Sequence, residues 1–310
     1  MAKDARIVRD PHQKEIVKLF SAFDGSKNRR KIFDDFLIMT ACMLSNLGDP
    51  VHAEEREKLY LQYAGQYRKD ELDIFARMIA EIVRGLEDNP DQDFLGEMYM
   101  ALEFGSSHTG QFFTPYSVCR CMASVSADYG RLSAEIEKRG FVSVTDPACG
   151  AGALLMAFAN ECRRQNINPQ TQVLFVAQDI DMTVGCMCYI AMSLMGLAGY
   201  VVIGDTLCDP NTCYDRRGLL PKDDNGRVWY TPMFMTRKCW AGRRMAAGLD
   251  LMLAYERKEQ PIPAQKMPLQ RTLLKEAPHP PVSISPEPDV QKQAENEPYL
   301  ETNAGQLMFF

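Results

Sequence analysis

Apolar residues recur at helical spacing through the first hundred positions. Ile16, Leu19, Phe20 and Phe23 share one face, as do Phe33, Phe36, Leu37 and the run 39–44. The same spacing continues over 59–63, 72–83 and 95–102, with turn residues at Asp24-Gly25, Gly48-Asp49-Pro50 and Asn89-Pro90 between the segments. This pattern predicts an N-terminal helical region over residues 1–104. Pro115 suits a first helical turn with Thr114 as its cap, which predicts a further helix over 116–129.

The period then changes. Short β-rich runs at 141–145, 172–177, 200–203 and 227–230 alternate with helical stretches at 153–164 and 182–195, and a last helix is expected over 245–255. Strand and helix in alternation predict an α/β fold built on a parallel sheet with helices on its faces. A middle unit over 105–259 follows. From residue 260 the chain is rich in proline and polar residues, so 260–310 is expected to be a disordered tail ending in the apolar peptide Gln306-Leu307-Met308-Phe309-Phe310.

Composition narrows the class. No run of uncharged apolar residues is long enough for a membrane span, and Met1 to Arg9 has no apolar stretch of a secretory signal. The ten cysteines form no C-x-x-C pair and read as reduced thiols of a cytoplasmic protein, with no metal site expected. The net charge of -6 gives no overall steering toward nucleic acid, so any DNA contact needs a local basic face or a partner. Arg237, Lys238, Arg243 and Arg244 around Trp240 are the candidate basic face, with a solvated helix surface as the plainer reading.

Candidate chemistry gathers at the ends of the first three strands. Asp146-Pro147-Ala148-Cys149-Gly150-Ala151-Gly152 follows the first strand and opens a helix, where glycines let a ligand approach the backbone. A dinucleotide fingerprint wants a third glycine at position 155, which is Leu155. The second strand ends in Gln178-Asp179-Ile180-Asp181 and the third in Gly204-Asp205-Thr206-Leu207. Carboxylates there suit a ribose and an adenine amino group, the needs of S-adenosylmethionine. Taken singly, Asp181 and Asp209 read as ordinary turn residues.

The segments GQFFTP (110–115), DPACGAG (146–152), AQDID (177–181) and GDTL (204–207) resemble, in order and spacing, the cofactor motifs of the N6-adenine DNA methylases, in particular type I modification subunits. Asp93 to Tyr99 is similar to the stretch those subunits carry ahead of the first of these motifs. The resemblance implies a Rossmann-like methyltransferase fold, here with a shortened sheet, and S-adenosylmethionine as cofactor. It implies that Phe113, Thr114 and Pro115 line the methionine end. It further implies that Asp146, Ala148, Gly150 and Gly152 shape the loop, that Asp179 holds the ribose and that Asp205 holds the adenine.

The family's catalytic Asn-Pro-Pro-aromatic motif does not occur. Thr231-Pro232-Met233-Phe234 is the nearest in position, and Thr231, Pro232 and Phe234 are the catalytic candidates, a strand-ending turn being the alternative. Two functions follow. One is a DNA adenine-N6 methyltransferase, weak or partner-dependent, whose partners are DNA and a second subunit completing the sheet. The other is an inactive cofactor- or DNA-binding module acting through protein contacts. A candidate contact of that kind is the bacterial sliding clamp, through Gln306, Leu307, Phe309 and Phe310, which resemble a clamp-binding peptide.

Overall fold

The computed structural model describes residues 8–102, 113–210, 213–215, 217–222, 226–259, 300–301 and 306–308. Helices α1 (Pro11–Leu19), α2 (Arg29–Asn46), α3 (Ala53–Ala64), α4 (Lys69–Asp88) and α5 (Phe94–Ala101) come first, followed by α6 (Tyr116–Ser126) and α7 (Tyr129–Arg139). The core then runs β1 (Val142–Asp146), α8 (Ala153–Arg164), β2 (Val173–Asp179), α9 (Met182–Leu194) and β3 (Ala198–Ile203). After it come β4 (Val228–Tyr230), α10 (Pro232–Thr236), α11 (Lys238–Glu259), β5 (Leu300–Glu301) and β6 (Gln306–Met308). Among the described residues no helix is long and apolar enough to cross a membrane.

The sheet order is β4-β3-β2-β1-β6-β5. β1 pairs in parallel with both β2 and β6, and β2 with β3, while β4 and β5 are antiparallel edges. β1, β2 and β3 are buried on both faces, and their side chains divide with period two. Val173, Phe175 and Ala177 of β2 join the larger core, and Leu174 and Val176 join the smaller one. The larger core is continuous with Ile16, Phe33, Phe36, Met78 and Tyr99 of the N-terminal helices. Helix α9 lies between β3 and α2. It is therefore apolar all round, and Cys186 and Cys188 are among its buried residues. Burial pushes the Cys186 thiol far above the usual range.

Several expectations need correction. The fourth strand is antiparallel: Tyr200 faces Tyr230 and Val202 faces Val228. A parallel return needs a crossover of a dozen or more residues, usually a helix, and no helix is described between Ile203 and Val228. The helix expected over 116–129 ends at Ser126, and a further helix, α7, follows it. Asp128 accepts the Arg131 N–H at 2.8 Å and starts α7, which stops at left-handed Gly140. Pro115, not Thr114, is the cap position of α6, without a side-chain hydrogen bond.

Half of the basic run is a structural clamp, while Arg237 and Lys238 are exposed as on a solvated helix surface. Trp240 is buried and donates Nε1–H to the Gln170 carbonyl at 2.8 Å. Arg243 donates to the Thr171 carbonyl at 2.6 Å and the Gly140 carbonyl at 2.7 Å, while Arg244 binds the Phe234 and Met235 carbonyls. Three side chains thus fasten α11 to the loops that enter β1 and β2 and to α10.

The tail expected over 260–310 is described only at 300–301 and 306–308, where it forms β5 and β6 instead of a free tether. Ser143, Val144 and Thr145 of β1 stand opposite Gln306, Leu307 and Met308. A clamp contact through Gln306 and Leu307 would require this strand to leave the sheet. Phe309 and Phe310 lie outside the described residues.

Candidate functional site

β1, β2 and β3 run parallel and end at one edge, where backbone and side-chain bonds tie their exits together. The Cys149 N–H donates to the Gln178 carbonyl and the Gly204 N–H to the Asp179 carbonyl, each at 2.9 Å. The Thr206 hydroxyl donates to the Pro147 carbonyl, and Gln178, buried, donates Nε2–H to the Gly204 and Asp209 carbonyls. Since β1 has a parallel neighbour on either side, this edge contains the crevice in which open α/β sheets bind ligands.

Asp146, Ala148, Gly150, Gly152 and Asp179 are brought together there. Gly150 and Gly152 have φ of 55° and 89°, a region that L side chains enter at a cost. Gly152 also starts α8 with close neighbours, since a Cβ on it would meet Cys188 Sγ at 2.9 Å. A Cβ on Gly150 would meet the Phe113 ring at 3.4 Å, so Phe113 lies over the turn. Asp179 Oδ2 accepts the Gly150 N–H at 2.9 Å, and its Oδ1 accepts the Asp181 N–H at 3.0 Å. Burial pushes the Asp179 carboxyl up, against these two N–H donors. Asp146 accepts the Ala148 N–H at 3.2 Å, and burial pushes it up to about 7.

Asp205 stands on the same edge, partly exposed. The Cys208 thiol and then the Leu207 N–H, which Oδ1 accepts at 2.9 Å, hold the carboxyl below the usual range. Asp181 is a helix cap, accepting the Thr183 and Val184 N–H groups at 2.8 and 3.1 Å. Asp209 binds Arg227 in the return loop. Phe113, Thr114 and Pro115 line a neighbouring cleft of about 560 Å³.

The catalytic candidates are not at this edge. β4 is antiparallel, so its end delivers Thr231 to the start of β3, where the Thr231 N–H binds the Gly199 carbonyl at 2.9 Å. The carboxyl edge begins at Gly204, five residues further along, roughly 17 Å at strand rise. Thr231 is 0% exposed. Its hydroxyl lies 2.8 Å from the Leu197 carbonyl and 3.1 Å from that of Gly199, and it accepts the N–H groups of Gly199 and Phe234 at 3.1 and 3.4 Å. It is the cap of α10, with its bonding capacity spent. Pro232 packs against Gly48, and Phe234 is buried among Tyr200, Tyr230 and Trp240. Thr231-Pro232-Met233-Phe234 thus links the end of β4 to α10, away from the glycine turn.

Two residues near the site, Arg30 and Asp34, carry no local signal in the sequence. Tyr99 of α5 lies 5.5 Å, ring to ring, from Phe113 and accepts a hydrogen bond from Arg30 at 3.1 Å. Asp34, on the same helix as Arg30, is pushed up to about 6, chiefly by burial and further by the charge of Asp181. Only packing α2 and α5 onto α9 brings them to this edge.

The family model of the N-6 DNA methylases matches residues 90–219. No curated protein matches the chain. Among solved structures it is similar to a Listeria monocytogenes chain assigned to the class I S-adenosylmethionine-dependent methyltransferases. That pair shows 18% identity over 65% of this chain and 55% of the other, with a TM-score of 0.34. It is also similar to a type I restriction-modification methyltransferase subunit of Streptococcus thermophilus, with 14% identity over 67% and 60% of the two chains and a TM-score of 0.34. The chain thus spans little more than half the length of either.

Proposed function

We propose that the stretch matched to the N-6 DNA methylases binds S-adenosylmethionine at the carboxyl edge of β1 to β3, in the service of DNA adenine methylation. The observation that carries this reading is the turn held by Asp179 through the Gly150 N–H, with two left-handed glycines directly before α8. The group fits the residues present. A Cβ at Gly152 would collide with Cys188, and the bare Gly150 lies under an aromatic ring, so the loop has the shape of a cradle. Phe113, Thr114 and Pro115 would hold the methionine end, Asp146, Ala148, Gly150 and Gly152 the loop, Asp179 the ribose and Asp205 the adenine. Each Asp179 oxygen that accepts one N–H keeps a further lone pair for a ribose hydroxyl. When bound, the cofactor supplies a methyl group on a positively charged sulfur.

An adenine amino group is a poor nucleophile, and its hydrogens need acceptors at the reacting edge. Thr231, Pro232 and Phe234 cannot supply them from the opposite edge. We therefore place the base-side groups outside the described residues or on a second subunit. A non-catalytic module is the second reading, favoured by the same burial of Thr231. The test is calorimetry with S-adenosylhomocysteine, beside transfer of labelled methyl to unmethylated DNA. Wild type should bind and Asp179→Ala should not; absence of binding by wild type rejects the cofactor reading. Methyl transfer by the chain alone would reject the need for a partner, and failure of every candidate partner to restore transfer would leave the module.

A further inference from the structure

The cleft beside the glycine turn contains a buried carboxylate that the cofactor motifs do not use. Asp93, Glu97, Thr114, Pro115 and Arg120 are among its lining residues. Asp93 is 6% exposed. It caps α5 through Oδ1, which accepts the Gly96 N–H at 3.0 Å, and position 96 has no room for a Cβ beside that carboxyl. Capping needs only one oxygen. Among the described residues Oδ2 has no hydrogen bond and no cation pairs with the group. A buried carboxyl without a positive partner is costly. Burial pushes Asp93 up to about 7 and Glu97 in the same direction, with the charge of Glu97 raising Asp93 further and that of Asp10 raising Glu97.

The cleft adjoins the glycine turn. Phe113 both lines it and covers Gly150. Cys119, whose thiol lies 3.7 Å from the Thr114 carbonyl, feels the charges of Asp93 and Asp146 together. Arg120 puts a positive group into the same cleft, 3.5 Å from Asp91. Acid on one side and a guanidinium on the other suit a zwitterion.

We propose that Asp93, assisted by Glu97, receives the α-ammonium of the cofactor's amino-acid end in this cleft, with Arg120 on the side of its carboxylate. This rests on the cofactor reading above. It makes Asp93 a determinant of binding, in addition to its cap.

Two nucleosides separate the roles. S-adenosylhomocysteine carries the amino-acid end, and methylthioadenosine lacks it. Asp93→Asn retains a good cap and removes only the charge. By calorimetry on the full chain, Asp93→Asn should weaken S-adenosylhomocysteine at least tenfold and leave methylthioadenosine within twofold of wild type. Glu97→Gln, on an exposed position of the helix, should give a smaller loss with the same selectivity, and it decides the matter if Asp93→Asn fails to fold. Equal losses for both nucleosides, or no loss for either, would overturn the proposal while leaving the cofactor reading intact. If wild type binds neither nucleoside, both readings fall together.

Discussion

Replacing Thr231 by valine separates a structural hydroxyl from a catalytic one. The side chain keeps its shape and loses its oxygen. That oxygen caps α10 and is bonded to the Gly199 N–H and to the carbonyls of Leu197 and Gly199, all in buried surroundings. Loss of a cap costs about 1 kcal/mol. A buried polar group left without its partner costs about 1–3 kcal/mol more. The sum, about 2–4 kcal/mol, corresponds for a chain of this size to a drop of roughly 5–10 °C in melting temperature. Thermal melting followed by circular dichroism gives that number, and calorimetry with S-adenosylhomocysteine should give wild-type affinity, because the hydroxyl is a whole strand away from Gly150. An unchanged melting temperature combined with lost cofactor binding or lost methyl transfer would show that the hydroxyl acts in the site, and the assignment of opposite sheet edges would be wrong.

Other expectations bear on the site and on the frame that holds it. Gly152→Ala forces a φ of 89° on an L residue, at roughly 1–2 kcal/mol, and drives a methyl to 2.9 Å from Cys188 Sγ. Cofactor affinity should fall at least tenfold by calorimetry, and wild-type affinity would remove the close-packed turn. Arg56 is buried, lies 3.5 Å over the Trp229 ring and donates to the Gly226 and Val228 carbonyls at 2.8 and 3.2 Å, tying α3 to β4. Arg56→Ala should cost about 2–4 kcal/mol in urea unfolding; a cost within error of zero would show that β4 stands without this tie.

Asp146 gives a pH dependence of known sign. Its carboxyl is raised by burial from the usual aspartate value to about 7. The folded state therefore favours the protonated form, and the stability this contributes is full below the ordinary aspartate range and lost as pH rises through about 7. The shift corresponds to something on the order of 4 kcal/mol. Ligand-free wild type should lose stability between pH 5 and 8 more steeply than Asp146→Asn, and parallel melting curves for the two would contradict the burial of this charge.

The elements that carry the cofactor edge were legible because their signals are local. Strand-forming runs, the glycines of 150 and 152 and the helix at 153–164 each follow from a few adjacent residues, and β1, β2, β3 and α8 lie where that pattern puts them. Asp179 was likewise marked by its place at a strand end. Helix α7 was missed, although Asp128 is a cap residue, because Leu132 is its one buried residue and the apolar signal is weak. At Trp240, Arg243 and Arg244 charge and aromatic content misled for a different reason. An arginine that donates to main-chain carbonyls and one that faces a phosphate are the same letter in a sequence.

Sequence alone determined β1, β2, β3 and the helices between them, and which glycines and acids sit at their junctions, since backbone sterics and side-chain periodicity act over a few residues. It did not determine direction or neighbourhood. That β4 turns back antiparallel, taking Thr231 to the far edge of the sheet, depends on a register set by Tyr200, Tyr230 and the core around Phe234. That β6 lies against β1, and that Asp93, Asp34 and Tyr99 gather near a turn more than fifty residues away, depends on helices competing for the same buried surface. Burial and pairing are properties of the whole packed chain, and only the tertiary structure decides them.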